Sequence, residues 1–350
     1  MAIEDDRATE ADWLEGLPLP REQTELIGHS VAAAELHEGY AGGRLHHAIL
    51  LTGPKGIGKA TLAFRFARFV LSNPDPTRAP PPTAGLLPAS DRVAAMVATG
   101  AHPNLLHLRR PWDEKAKKVK TQLTVDEIRK TVTFFGNAAG VDGYRIAIVD
   151  AADDMNVSAA NALLKMLEEP PKRSLFLVLS HAPGRLLPTI RSRCRRLSLD
   201  PLGPDDLDAA LTSLGLSVAE GDKPALAALA EGSVRRAIEC IENDGLEVFR
   251  QFRSLADGFP RLDRPRLYRF ADAVAGRKGA DSFDLCADLA RGWLSEHMRL
   301  TLRSGVDRLN GYAVAWETIN RIVAETDGIN LDRRQAVISV MQSLAGCVAK

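Results

Sequence analysis

Several kinds of residue are scarce in this chain, and each scarcity closes off a class of protein. Only four cysteines occur, Cys194, Cys240, Cys286 and Cys347, widely spaced and with no CxxC pair. That pattern argues against a zinc site and against a disulfide framework, and for reduced, mostly buried thiols. Charge of one sign is not in excess: lysine plus arginine and aspartate plus glutamate number 45 each, so the formal net charge is +0 and any contact with DNA has to be local. No apolar run has the length of a membrane span. The opening residues, MAIEDDRATEADW, are acidic and polar where an export signal needs a basic start and an apolar stretch, so export is not expected and a cytoplasmic location is. Internal repeats are lacking as well. A chain of 350 residues is expected to form two or three domains.

What the chain does have is a phosphate-binding loop. Residues 48–61 read AILLTGPKGIGKAT: strand-type apolar residues, a glycine-rich turn, then a lysine opening a helix. The P-loop pattern asks for Gly, four free positions, Gly-Lys and a hydroxyl residue. Gly53, Gly58 and Lys59 fit it, Pro54, Lys55, Gly56 and Ile57 fill the free positions, and Ala60 stands where the hydroxyl belongs. The pattern works because backbone N–H groups must crowd around a polyphosphate at the positive end of a helix dipole, and side chains would block that approach. Lys59 supplies a point charge for the terminal phosphates. The missing hydroxyl would normally ligate Mg²⁺, an ion that demands oxygen ligands in near-octahedral geometry. Thr61 is one residue later, about 100° further round a helix, and does not replace it, although it can touch a nearer phosphate. Nucleotide binding is expected, and metal-assisted hydrolysis is not.

Along the chain, residues 22–36 carry helical periodicity, and residues 61–71 do so after the P-loop. Between residues 73 and 89 the prolines Pro74, Pro76, Pro80, Pro81, Pro82 and Pro88 leave no room for a regular helix or a central strand, so this is loop or linker. The insert RRPWDEKAKKVKTQ, residues 109–122, reads as a solvated polar loop, with phosphate contact to DNA through Lys115, Lys117, Lys118 and Lys120 as the sharper alternative. RIAIVD at 145–150 and LFLVLS at 175–180 are apolar runs typical of strands buried on both faces of a parallel sheet. A helix over about 157–169 lies between them and ends at Pro170 and Pro171. Strands alternating with helices predict a doubly wound α/β sheet, with ligands beyond the carboxyl ends of the strands, where Gly53, Asp150 and Ser180 fall. After residue 199 the patterns become helical, at 204–214, 223–229, 233–241 and from 246 onward.

Asp150 ends a buried strand. Its carboxylate either serves a metal or its water shell, or caps the segment that follows. An ATPase also needs a group that orients the attacking water. The next position is Ala151, so a second part of the hydrolytic chemistry is missing, and Asp153, three residues beyond Asp150 and in a turn, is not expected to replace it. LPTIRSRCRRL at 187–197 crowds Arg191, Arg193, Arg195 and Arg196, either as a solvated or phosphate-facing surface or as an arginine finger. GSVRRA at 232–237 opens another helix, with Ser233 as a plausible cap, and Arg235 or Arg236 is within reach of phosphates from a lid.

These segments together resemble the AAA+ clamp-loader family over nearly everything up to about residue 241. The resemblance is carried by LIGH (26–29), HHAILLTGPKGIGK (46–59), HPNL (102–105), TVDEIRK (124–130), RIAIVDAADDMN (145–156), NALLKMLEEPP (161–171) and the Ser-Arg-Cys triplet (192–194). It implies an AAA+ P-loop domain over 1–200, a small helical lid over 201–244 and an all-α collar for oligomerisation over 245–350. It implies that Ile27 and Gly28 line the adenine pocket, that Ser180 is the first sensor and Arg235 the second, and that Arg193 is a finger reaching a neighbour's ATP in trans. The implied partners are the gamma/tau motor and delta subunits of a loader, with the sliding clamp and primed DNA engaged through the complex, and no membrane. Motor subunits carry a hydroxyl at the position of Ala60 and a glutamate at that of Ala151, so this chain resembles a non-hydrolysing stator that binds ATP or ADP with weak or absent Mg²⁺. Many relatives hold zinc on four cysteines between the P-loop and HPNL; none occurs here, so zinc is not expected. A hydrolysing motor of the same family is the alternative. A P-loop kinase would leave the helical C-terminal region and the Ser-Arg-Cys triplet without a purpose.

Overall fold

The computed structural model describes residues 10, 13–81, 90–136, 142–276, 280–302, 309–329 and 331–348. Most of the acidic N-terminal stretch, together with Pro82 and Pro88 of the proline-rich segment, lies outside the described residues. Two compact units make up the chain: residues 1–218 with 231–235, and residues 219–230 with 236–350.

In the first unit the order is α1 Ser30–Ala41, β1 Ala48–Thr52, α2 Lys59–Ser72, α3 Asp91–Ala98, β2 Leu105–Arg109, β3 Trp112–Asp113, β4 Lys118–Val119, α4 Val125–Gly136, β5 Arg145–Asp150, α5 Val157–Glu168, β6 Ser174–Ser180, α6 Pro188–Ser192, β7 Arg195–Ser198 and α7 Pro204–Ser213. Five strands form one sheet in the order β2-β5-β6-β1-β7, parallel throughout. The P-loop strand β1 is central, as a strand with both faces buried must be.

Alternation along the strands builds the layers, because successive side chains point to opposite faces. Ile49, Leu51, Ile146, Ile148, Leu175 and Leu177 enter one buried cluster, with Leu36 and Tyr40 of α1 and Phe66 and Phe69 of α2. Their neighbours Ala48, Leu50, Ala147, Val149, Phe176 and Val178 enter the other, with Ile128 and Phe135 of α4 and Leu163 and Leu167 of α5. The result is a three-layer doubly wound sheet, which matches the sequence expectation. Register aligns the carboxyl ends: Thr52 of β1 lies opposite Ser180 of β6 and Ser198 of β7.

Helix limits follow local chemistry. Asn156 caps α5 by accepting from the Ala159 amide at 2.9 Å, and the helix stops just before Pro170 and Pro171. The expected helical segment over 22–36 begins only at Ser30; before it the chain is irregular and tethered by the buried Arg68, whose guanidinium donates to the carbonyls of Gln23, at 2.7 Å, and Arg21. Within the expected loop at 109–122 the chain instead forms a short antiparallel hairpin, β3 with β4. The described part of the proline-rich segment holds a single tight turn at Pro76–Arg78, capped by Asp75.

The second unit is all helical among the described residues: α8 Lys223–Ala230, most of α9 Val234–Glu242, α10 Gly245–Ala256, α11 Arg264–Gly276, α12 Ala280–Leu302, α13 Leu309–Ile329 and α14 Arg333–Val348. Helix α14 buries Val337, Met341 and Leu344 but also Ala336, Ile338 and Val340, so most of its circumference is covered, as suits the middle of a bundle. Around it pack Phe252 of α10, Phe270 of α11 and Trp293 of α12. All four cysteines are free; Cys240, Cys286 and Cys347 are buried and Cys194 partly so. Burial pushes the Cys286 thiol up to about 12 and the other three to about 11, so they stay protonated. Among the described residues no helix is long and apolar enough to cross a membrane.

Phe176 in β6 is fully buried, with its ring 5.1 Å from that of Phe135. Phe176→Ala is expected to destabilise the first unit by about 3–5 kcal/mol. Denaturant unfolding followed by circular dichroism checks this, and an unchanged midpoint would contradict the packing described.

Candidate functional site

The loop between β1 and α2 is shaped by contacts on its outer side. Gly53, Gly56 and Gly58 adopt φ of 148°, 79° and 106°, values that L side chains rarely take. At the first two, space is lacking as well. A Cβ on Gly53 would lie 2.5 Å from the Leu199 carbonyl oxygen, and one on Gly56 would lie 2.4 Å from Ser233 Oγ and 2.5 Å from Arg235 Cβ. The loop is therefore pressed against the chain beyond β7 and against residues 233–235, which contribute two further bonds: Ser233 Oγ donates to the Lys55 carbonyl at 2.9 Å, and the Arg235 amide donates to the Gly56 carbonyl at 3.4 Å. From the other side His29 Nε2 donates to the Ile57 carbonyl at 2.6 Å. With the Lys55, Gly56 and Ile57 carbonyls occupied in this way and glycine at three of its positions, the loop fits a polyphosphate.

Lys59 opens α2 and is only 3% exposed. Its ammonium donates to the carbonyls of Gly53, at 2.7 Å, and Pro54, at 2.5 Å. Burial pushes its pKa down to about 8, against the pull of the Asp150 and Asp153 carboxylates, which raise it. The cation is thus folded onto its own loop, and a phosphate has to replace those two carbonyl bonds. Ala60, next in line, is packed against the sheet-and-α2 cluster and offers no oxygen; Thr61 is half-buried on the same helix.

Beyond the strand ends, Asp150 Oδ2 stands 3.7 Å from His107 Nε2 of the neighbouring β2. It does not cap the turn that follows: Ala151 occupies the cap position with no side-chain bond. Ser180 does lie at the end of β6, fully buried, where its hydroxyl donates to Asp153 Oδ1 at 2.7 Å, and the His181 amide donates to Asp153 Oδ2. Asp153 is therefore a bracket joining the turn after β5 to the end of β6. His181 is pushed down in pKa by burial first and by the Lys59 charge next, which keeps its ring neutral.

Gly28, at φ 69°, sits so close to Leu202 that a Cβ would fall 2.5 Å from Leu202 Cδ2, with Asp206 Oδ2 at 3.3 Å; Ile27 is half-buried beside it. The arginine run disperses to separate partners. Arg193 follows the last turn of α6, half-buried, with Nη2 2.7 Å from Glu168 Oε1 and Nη1 donating to the Thr189 carbonyl at 3.1 Å. Arg195 pairs with Glu35 at 2.7 Å, and Arg196 Nε donates to Thr52 Oγ1 at 3.3 Å.

The structure thus gathers Gly53 to Lys59, Ser233 and Arg235 into one cradle and brings Asp150, Asp153, Ser180 and His181 to the adjoining strand ends. Arg193 keeps company with Glu168 instead. Sequence reasoning missed His29, Ser233 as a loop ligand, Asp153 as a bracket, and Glu168. His29 and Glu168 lie inside the quoted motifs, so their positions were in view but not their contacts.

Comparison with known proteins gives three findings of one kind. The family whose sequence model matches residues 28–203 is described as DNA polymerase III, delta subunit. The DNA polymerase III subunit delta' of Pseudomonas aeruginosa is 41% identical over 155 residues, 44% of this chain and 43% of that protein. Those of Bacillus subtilis and Escherichia coli are each 32% identical, over 60% and 59% of this chain and 57% of each relative. The chain thus spans about half the length of the curated relatives it matches.

Crowding at Gly56 makes a specific expectation. Gly56→Ala combines an unfavourable φ with a steric clash and should cost roughly 2–4 kcal/mol, whereas Gly100→Ala, at φ 71° with nothing within 4 Å, should cost about 1 kcal/mol. Equal losses in thermal or denaturant unfolding would mean that Ser233 and Arg235 do not close on the loop.

Proposed function

Because the chain belongs to the family described as DNA polymerase III, delta subunit, we propose that it works as the delta-prime stator of a replicative clamp loader. In this reading it helps to place the ring-shaped sliding clamp on primed DNA and so supports the DNA polymerase III holoenzyme. The observation that carries the reading is a phosphate cradle kept complete while two hydrolytic side chains are replaced, by Ala60 and Ala151. Gly53, Pro54, Lys55, Gly56, Ile57, Gly58 and Lys59 hold the phosphates of ATP or ADP, Thr61 touches a nearer phosphate, and Ile27 with Gly28 lines the base. Ser180 and Arg235 read the nucleotide from the strand end and from the lid. With alanine at the hydroxyl position the oxygen ligands for Mg²⁺ are incomplete, and with alanine after Asp150 no group activates water. The chain therefore binds without cutting.

Its contribution to catalysis lies next door. Arg193 is half exposed at the end of a short helix and serves as the finger that stabilises phosphoryl transfer on an adjacent gamma/tau subunit. The lid of residues 201–244 and the collar of residues 245–350 provide the remaining subunit contacts, the delta subunit included.

Three measurements test this, the last of them on Lys59. In the assembled complex, Arg193→Ala should reduce turnover at the neighbouring ATP site on the order of 10³-fold while assembly persists, and unchanged turnover would refute the finger. The isolated chain should hydrolyse ATP at a negligible rate.

The third concerns Lys59, whose free-state pKa is about 8 and is raised when a phosphate lies beside it. Nucleotide affinity should then be level below about pH 7 and fall above pH 8, approaching tenfold per pH unit, because the bound state keeps the proton that the free state loses. Titration of a fluorescent ATP analogue from about pH 7 to 9.5 reads this, with Lys59→Met flattening the profile; a flat profile in the unmodified chain would contradict the assignment.

A further inference from the structure

The hairpin of β3 and β4 is a motif that the stator role leaves without a use. Its base is fixed rather than loose. Arg110 Nε lies 3.2 Å from Asp154 Oδ2, the Leu123 amide donates to the Asp154 carbonyl at 2.8 Å, and the Lys120 amide donates to the Pro111 carbonyl at 2.9 Å. Both stems are therefore tied at the carboxyl edge of the sheet, next to the turn that carries Asp153.

Pairing then decides which way the charges face. Trp112 opposes Val119 and Asp113 opposes Lys118, so the two pairs lie on opposite sides of the ribbon. Lys120, two positions beyond Lys118, shares its side, about 6.8 Å further along an extended chain. The hairpin's own acids are occupied. Asp113 Oδ1 accepts from the amides of Lys115 and Ala116, each at 3.0 Å, and Glu114 pairs with Lys117 at 3.2 Å. Lys115, Lys118 and Lys120 are exposed, and among the described residues their ammonium groups make no hydrogen bond or ion pair. By contrast, two neighbours in the arginine run, Arg193 and Arg195, are both paired with glutamates. Asp113, opposite Lys118, offsets part of the lysine charge, and the hairpin keeps an excess of lysine that is local in a chain of formal net charge +0.

We propose that the hairpin is a contact for the phosphate backbone of DNA, made by Lys115, Lys118 and Lys120. The exposure and charge of the lysines point to a polyanion, and the clamp-loader reading selects a nucleic acid over an acidic protein surface. The unpaired cations are lysines, which meet phosphate as compact point charges. Asp113 stands on the same side, opposite Lys118, but its carboxylate is turned to the Lys115 and Ala116 amides, so the lysines make a contact to phosphate rather than to base edges. The choice of DNA over another polyphosphate rests on the clamp-loader reading; the contact itself does not involve Arg193 or Lys59.

The test is a salt titration of binding between the full chain and a fluorescein-labelled primed duplex, followed by anisotropy from about 20 to 200 mM salt. The triple variant Lys115→Gln, Lys118→Gln, Lys120→Gln is compared with the unmodified chain and with Lys172→Gln, an exposed lysine elsewhere. Each lost phosphate contact should make the slope of log K against log salt shallower by about 0.9, hence by about 2.7 for the triple variant, with an unchanged melting curve and no effect from Lys172→Gln. A slope that does not move, or an unmodified chain that fails to bind at low salt, overturns the proposal. So does a triple variant that keeps its DNA slope but drops a protein subunit from the assembled complex, since the lysines would then face a protein. If the DNA contact fails while Arg193→Ala still lowers complex turnover, the hairpin assignment alone is lost; if DNA binds as expected but Arg193→Ala changes nothing, the stator reading fails and the contact stands.

Discussion

A close approach of backbone to backbone governs this molecule. The phosphate loop can adopt its shape only because Gly53 and Gly56 carry no side chain where the Leu199 carbonyl, Ser233 and Arg235 press in. The Lys55, Gly56 and Ile57 carbonyls are occupied in turn by Ser233, the Arg235 amide and His29. The approach also ties the loop to residues 233–235, beyond the sheet in sequence.

Charge within the site follows from that shape. A lysine buried to this degree is stable only with partners, and Lys59 finds them in two loop carbonyls while remaining poised near neutrality. Acid groups are present in number, yet each has structural employment. Asp153 brackets Ser180 and His181, and Asp150 stands beside His107. Neither occupies the position of the missing glutamate, and alanine has taken over the hydroxyl position at the start of α2. The shape of the cradle depends on backbone packing and on Lys59, and not on the side chains at positions 60 and 151. Ala60 and Ala151 supply no side-chain oxygen, and both sit in the packed framework around the loop without disturbing it.

Much of this could be read from the residues. The apolar runs at 48–52, 145–150 and 175–180 announced buried parallel strands, since only a strand covered on both faces has no polar alternate positions. Pro170 with Pro171 marked the end of α5, and the glycine spacing announced the loop. Edge strand β2 escaped notice because LLHLR alternates less cleanly and is shorter in apolar content. The hairpin escaped because a dense run of lysines reads as solvated loop, while the feature that folds it, Asp113 accepting two turn amides and Trp112 facing Val119, is a pairing of residues several positions apart.

By itself the sequence determined which segments could be strand, loop or helix, and that residues 53–59 carry a phosphate-loop pattern with alanine at its hydroxyl position. These are properties of residue type at fixed local spacing. The tertiary structure alone decided that Asp153 secures Ser180, that His29 and Ser233 anchor the loop, that Arg193 rests on Glu168, and that three lysines stand unpaired on an anchored ribbon. Each of those depends on residues brought together across 25 or more positions, or on which face of a strand a register exposes, and no local pattern encodes either until the sheet has formed.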